Sequence, residues 1–120
     1  SFSVEEYIRD IFMDQTLPDI IICLNELSTT CVYQAVVDYN CVGEIAILGY
    51  YDTDTILKAI ERNVITATIS IDTEQMGAFC VDALQEYYNY GYTSQYFTAD
   101  VTVIDQSNVE EYLGKQEEAE

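Results

Sequence analysis

Histidine is absent from the 120 residues, and proline occurs once, at Pro18. Without histidine, imidazole metal sites and histidine general-base catalysis are excluded within this sequence. Positive charge is almost absent as well. Arg9, Lys58, Arg62 and Lys115 stand against 22 acidic residues, a net charge of −18. No basic patch can be assembled from four cations, which excludes nucleic-acid binding and electrostatic docking on anionic lipid through this segment. No apolar run reaches the roughly 18 residues of a membrane-spanning helix, so no membrane insertion is expected. No signal peptide is visible at the start. The sequence opens Ser1-Phe2-Ser3 rather than with methionine, as a processed chain or a piece of a longer one does. The four cysteines, Cys23, Cys31, Cys41 and Cys80, show no C-x-x-C spacing and read as small buried hydrophobes; a Cys31–Cys41 disulfide stays open. There is no P-loop, no G-x-S-x-G and no nucleophile–base pair, so no catalytic residue, metal site or cofactor is expected.

What is present is a core. Apolar residues make up 49%, enough for one folded domain and too many for a disordered chain. Ser3-Val4-Glu5-Glu6 has the form of a capping box, and Val4, Tyr7, Ile8, Ile11 and Phe12 follow at helical spacing up to about Asp14. Residues 19–24, DIIICL, read as an apolar strand. Ser28 or Thr29 caps a helix to about Asp38. Residues 44–48 lead into a strand buried on both faces, as in a parallel sheet. Thr53 caps a short helix that turns Ile56, Leu57 and Ile60 inward, and Asn63 takes the left-handed position after it. Residues 64–71 alternate, with Ile65, Ala67, Ile69 and Ile71 on one side and Thr66, Thr68 and Ser70 on the other. Asp72 with Gln75 starts a helix over 73–88, in which Gly77 allows close packing. A strand over 96–104 follows, then a helix from the S-x-x-E pattern of residues 107–110 to Leu113, stopped by Gly114. The order α-β-α-β-α-β-α-β-α predicts an α/β fold: a three-layer, open, mainly parallel sheet with helices on both faces.

The most informative stretch is EIAILGYYDTD, Glu44–Asp54. An apolar strand that ends in Gly49 and polar groups before a helix matches the carboxyl edge of an open α/β sheet, where ligands bind. Residues 19–24 end the same way, in Asn25-Glu26. Asn25 offers two donors and an acceptor, which suits hydroxyl recognition, and it equally suits a helix cap. Tyr51 reads as a cleft aromatic for stacking. Asp52 and Asp54 read as ligand carboxylates or as acids of a first helical turn.

The three segments PDIIICLNE, EIAILGYYDTDTILKAIERNVITATISIDTEQMGAFCVDAL and VTVIDQSN together resemble the later part of type I periplasmic binding proteins. These are the sugar-type solute-binding proteins of ABC importers, which share their fold with lactose-repressor-type effector domains. The resemblance covers roughly residues 4 to 110. It implies a two-lobed protein, with residues 1–113 as the second lobe and residues 114–120 as an acidic tail. It implies that helix 73–88 and the end of strand 96–104 pack on the other lobe. It implies a small-molecule ligand held by Asn25, Glu26, Tyr51, Asp52 and Ile71. Two of the polar contacts usual in sugar binders are changed here: Tyr51 precedes Asp52 after Gly49-Tyr50, and Ile71 stands where glutamine is common. A larger glycan or a more apolar ligand stacked on Tyr51 fits those changes. The implied partner is an ABC permease and the implied location extracellular or periplasmic, with or without a lipid anchor. The alternative is a cytoplasmic regulator. With its neighbouring lobe absent, the Met76/Cys80/Leu84/Tyr87 face predicts self-association.

Overall fold

A computed structural model describes the backbone of residues 2–117 and the side chains of residues 3–115. Its elements are α1 (Phe2–Met13), β1 (Ile20–Ile22), α2 (Glu26–Asp38), β2 (Ala46–Tyr50), α3 (Asp54–Glu61), β3 (Ala67–Ile71), α4 (Thr73–Tyr90), β4 (Val101–Asp105) and α5 (Val109–Glu117). The predicted alternation and the predicted α/β class are both observed. The strands lie in the order β1-β2-β3-β4, with β1 parallel to β2 and β2 parallel to β3. By contacts the chain divides into two units, one holding the residues up to Ser70 and from Val103 onward, the other Ile71–Thr102.

In the first unit the core lies between the sheet and one layer of helices. Ile8 and Phe12 of α1, Val32 and Val36 of α2, Ile56, Leu57 and Ile60 of α3 and Val109 of α5 are buried there with Ile47 and Ile104 of the sheet. Each such side chain contributes about 1.5–3 kcal/mol by leaving water. Two helix ends are fixed by the same device. After α3, Asn63 takes φ +61°, its N–H reaches Ile60 O and the Val64 N–H reaches Ala59 O. After α2, Asn40 takes φ +55°, with Asn40 N–H on Val37 O and Cys41 N–H on Val36 O. Both are Schellman caps with asparagine in place of glycine.

Several local expectations shift. Ser3 lies inside α1 rather than at its cap. The N-cap of α2 is Asn25, three residues before Ser28, because its Oδ1 reaches the Ser28 N–H at 2.8 Å. β3 spans Ala67–Ile71 and its pairing with β2 starts at the Thr66 N–H on Ile47 O, not at Val64, because the Val64 and Ile65 N–H groups cap α3 through Ala59 O. Leu48 is 38% exposed, so β2 is not buried on both faces. Helix α5 runs through Gly114 to Glu117, and the rest of the expected tail lies outside the described residues.

In the second unit, α4 continues two residues past the predicted Tyr88 and stops where Gly91 takes φ +75°. Asp72 caps it through the Gln75 N–H, as its spacing predicts. Gln75 then bridges to the backbone N–H of Asp100 at 2.6 Å. Glu86 gathers the Ser94 N–H, the Ser94 hydroxyl and the Thr93 hydroxyl, which pins the tyrosine-rich loop onto its own helix. Those donors, Ser94 N–H first, hold the Glu86 carboxyl below the usual range. Residues 96–99 make no strand, and Asp100 pairs with backbone only through its carbonyl, which accepts the Asp72 N–H, so β4 is about half the expected length. Gly77 has nothing within 4 Å of a notional Cβ, so its small size serves no close packing. No residue of α4 is buried.

Candidate functional site

Parallel pairing puts the carboxyl ends of β1 and β2 side by side. Asn25 lies just beyond β1, and Tyr51 and Asp52 just beyond β2, so three of the predicted residues share one sheet edge. Thr29, fully buried on α2, ties the two exits together. Its hydroxyl donates to Asn25 O at 2.8 Å and accepts from the Tyr50 N–H at 3.0 Å. Gly49 makes this approach feasible: a Cβ there would lie 2.6 Å from Thr29 Cγ2.

Tyr51 carries φ +86°, a conformation that a bulky L-residue adopts at a cost on the order of 1–2 kcal/mol. Neighbouring groups over-determine it. Its N–H reaches Ile69 O at 2.8 Å, and the Thr68 hydroxyl donates to its carbonyl at 2.6 Å. The Tyr51 side chain packs partly on the core. One position on, the Asp52 carboxylate accepts the Ser70 hydroxyl at 2.8 Å. Thr68 and Ser70 are both buried on the helix-covered face of β3. The alternation of residues 64–71 puts both on one side of the strand with Thr66 and gives neither a role at the site. Their alternation was the available signal, and its meaning depended on which face the helices covered.

Asn25 uses its Oδ1 in the α2 cap, the second of the two roles open to it. Glu26 begins α2 and is exposed. Ile71 ends β3, is half-buried and belongs to the other unit. The helices α2 and α3 both start at this edge, and Glu26 and Asp54 sit in their first turns, where the helix dipole favours acids. Lys58 pairs with Asp54 at 2.7 Å on the exposed surface of α3. The edge therefore offers carboxylate and amide groups, hydroxyl-anchored backbone and a tyrosine ring, which together suit a neutral ligand that donates hydrogen bonds.

A groove of about 410 Å³ lies elsewhere, between α1 and α2, with Glu5, Arg9, Gln34 and Tyr39 among its lining residues and none of the predicted ones. No cluster of His, Cys, Asp and Glu among the described residues is placed to hold a metal ion. No helix among them is long and apolar enough to cross a membrane. All four cysteines are free thiols. Cys23 and Cys41 are buried as read from sequence, whereas Cys80 on α4 is exposed. Burial pushes the Cys23 thiol above its ordinary value.

No protein-family model and no curated protein matches the chain. Solved structures do. A chain of the XylFII–LytSN complex is 25% identical with a TM-score of 0.74, over 87% of this chain and 36% of that one. An ABC transporter solute-binding protein from Bacillus halodurans C-125 with bound myo-inositol is 19% identical, TM-score 0.79, over 93% and 39%. The Caulobacter myo-inositol binding protein with its ligand is 18% identical, TM-score 0.79, over 95% and 40%. The chain thus spans about two fifths or less of the length of these structures. Over that span it has the α/β fold of the type I periplasmic sugar-binding proteins of ABC transporters, as its sequence motifs imply.

Proposed function

We propose that this chain is part of a substrate-binding protein of an ABC importer, and that it binds a carbohydrate or related small solute without catalysis. The observation that carries the reading is the shared carboxyl edge of β1 and β2, where Asn25, Tyr51 and Asp52 converge in a fold whose solved neighbours include myo-inositol and D-allose complexes. Asn25, Glu26 and Asp52 supply hydrogen-bonding groups, and Tyr51 a stacking surface. Ile71 contributes an apolar wall. In the same reading residues 1–113 belong to one lobe, and the apolar side of α4, exposed at Met76, Leu84 and Tyr87, packs on the other. Where that lobe is missing, the exposed α4 face drives self-association. Closure of two lobes on the solute presents the protein to a permease outside the cytoplasmic membrane. No observation favours the effector-domain alternative.

The test is a thermal-shift and calorimetric titration of the natural polypeptide with myo-inositol, D-allose and longer oligosaccharides. A solute that raises the midpoint, and whose effect is lost in Asp52→Ala and Tyr51→Ala, supports the reading. Stabilisation by none of them, or equal stabilisation of both variants, overturns it.

A further inference from the structure

Away from the β1–β2 edge, the second unit carries a polar helix side that ends in exposed aromatic rings. Asp82, Gln85, Glu86 and Asn89 recur at three- and four-residue spacing, so they share one side of α4. Leu84 and Tyr87 fall on the opposite side by the same geometry. Whatever packs on the apolar side therefore leaves this one in water. The four polar residues and Tyr90 line a hollow of about 280 Å³. Beside it the rings of Tyr90 and Tyr92 stand 6.1 Å apart between centroids, tilted by 34°. Both are exposed, by 67% and 71%.

The ring pair is fixed by the chain around it. Gly91 takes φ +75° and its N–H reaches Tyr87 O at 2.8 Å, which turns the chain at the helix end and sets Tyr92 beside Tyr90. Glycine takes that left-handed turn at no steric cost. Further on, the Thr93 hydroxyl, the Ser94 N–H and the Ser94 hydroxyl all donate to Glu86 on the polar side of α4. The segment that carries Tyr92 is thus tied to the helix on both sides of that ring. Such fixing lowers the entropy lost when a ligand binds.

We propose that this hollow and the Tyr90–Tyr92 pair form a binding site for an uncharged glycan chain. One face of a pyranose ring is lined with C–H groups and stacks on an aromatic ring, while its hydroxyls point outward at the rim. The amides of Gln85 and Asn89 each donate and accept, as neighbouring hydroxyls do, and Asp82 accepts. An anionic ligand finds no cation in the lining and a net charge of −18 around it. A cationic ligand finds one uncommitted carboxylate, Asp82, because Thr93 and Ser94 already occupy the oxygens of Glu86. The volume lies just below the roughly 300–1,000 Å³ of pockets that enclose a whole small ligand. The hollow therefore takes one ring of a longer chain, and Tyr92 carries the next. The inference does not rest on solute binding at the β1–β2 edge, since it concerns the other unit and other residues.

The experiment is affinity electrophoresis of the natural polypeptide through native gels cast with soluble starch, hydroxyethylcellulose or galactomannan. Gels with pectate and with chitosan, one anionic and one cationic, run in parallel. At least one neutral polysaccharide retards the parent. The double variant Tyr90→Ala/Tyr92→Ala weakens that binding by at least about tenfold, and Tyr90→Phe/Tyr92→Phe keeps it, because the ring and not the hydroxyl stacks. Gln85→Ala/Asn89→Ala weakens it as well. Thermal midpoints of these variants stay at the parent value, since the altered side chains are exposed. Free passage through all three neutral gels overturns the proposal. So does retardation that Tyr90→Ala/Tyr92→Ala leaves unchanged, which would place the glycan elsewhere, the β1–β2 edge included. Retardation by chitosan alone overturns it in favour of a cationic ligand.

Discussion

The hydroxyl of Ser70 on β3 donates to the carboxylate of Asp52 at 2.8 Å, across 18 positions of sequence. Two positions earlier on the same strand, Thr68 donates to the carbonyl of Tyr51. One strand thus holds, by its buried polar side, the backbone and the carboxylate of the turn that leaves its neighbour. Ser70→Ala removes a hydrogen bond to a charged group and is expected to lower stability by about 1–2 kcal/mol in urea denaturation at pH 7. An unchanged midpoint in Ser70→Ala would show that water replaces the hydroxyl without loss.

Gly49 is required by Thr29. A Cβ at position 49 lies 2.6 Å from Thr29 Cγ2, and Thr29 cannot turn away without giving up its bonds to Asn25 O and the Tyr50 N–H. Gly49→Ala is expected to destabilise by about 1–3 kcal/mol through overpacking. Adding Thr29→Ser, which keeps the hydroxyl and deletes the methyl, recovers most of that loss. Denaturant titration of the single and double variants measures both.

Asn63 closes α3 in the left-handed region at φ +61°. Asn63→Gly is expected to leave stability unchanged or raise it slightly. Asn63→Val, which is branched at Cβ, lowers it by about 1–2 kcal/mol. Thermal unfolding of the two variants side by side checks the sign.

Asp105 accepts the Ser107 hydroxyl and the Ser107 N–H, hydroxyl first in effect, and both hold its carboxyl below the usual range. A carboxyl with a lowered folded pKa adds stability above its unfolded pKa of about 3.9, and that stability is lost as pH falls through the folded value. Ser107→Ala is expected to return the Asp105 titration toward the ordinary range. The stability difference between the parent and Ser107→Ala is full near neutrality and shrinks below about pH 4. Carboxyl NMR titration and acid unfolding provide the two readings.

The thiols separate by exposure. Cys80 is exposed on α4, and Cys23 is buried with its thiol pushed up by desolvation. Iodoacetamide at pH 8 is expected to label Cys80 in the folded chain and to leave Cys23 untouched until denaturant is added. Peptide mapping after a timed pulse distinguishes them.

Local chemistry in the sequence determined the element types, their order and several of their ends. Thr53 and Asp72 cap helices where their spacing says they do, and Asn63 takes the left-handed position, because these interactions reach only three or four residues along the chain. The shared edge of Asn25, Tyr51 and Asp52 also followed from sequence, since parallel strands bring their carboxyl ends together. Tertiary structure decided the rest. By alternation Thr68 and Ser70 stand on one side of β3, and Ala67, Ile69 and Ile71 on the other. The helices cover the hydroxyl side, and Ile69 is left 41% exposed. Alternation states that a strand has two faces; which face meets the helices depends on how α2 and α3 cross, and no short-range signal carries that. The positive φ of Tyr51 was equally illegible, because a bulky residue accepts it only when contacts from a neighbouring strand, here Ile69 O and the Thr68 hydroxyl, over-determine the turn.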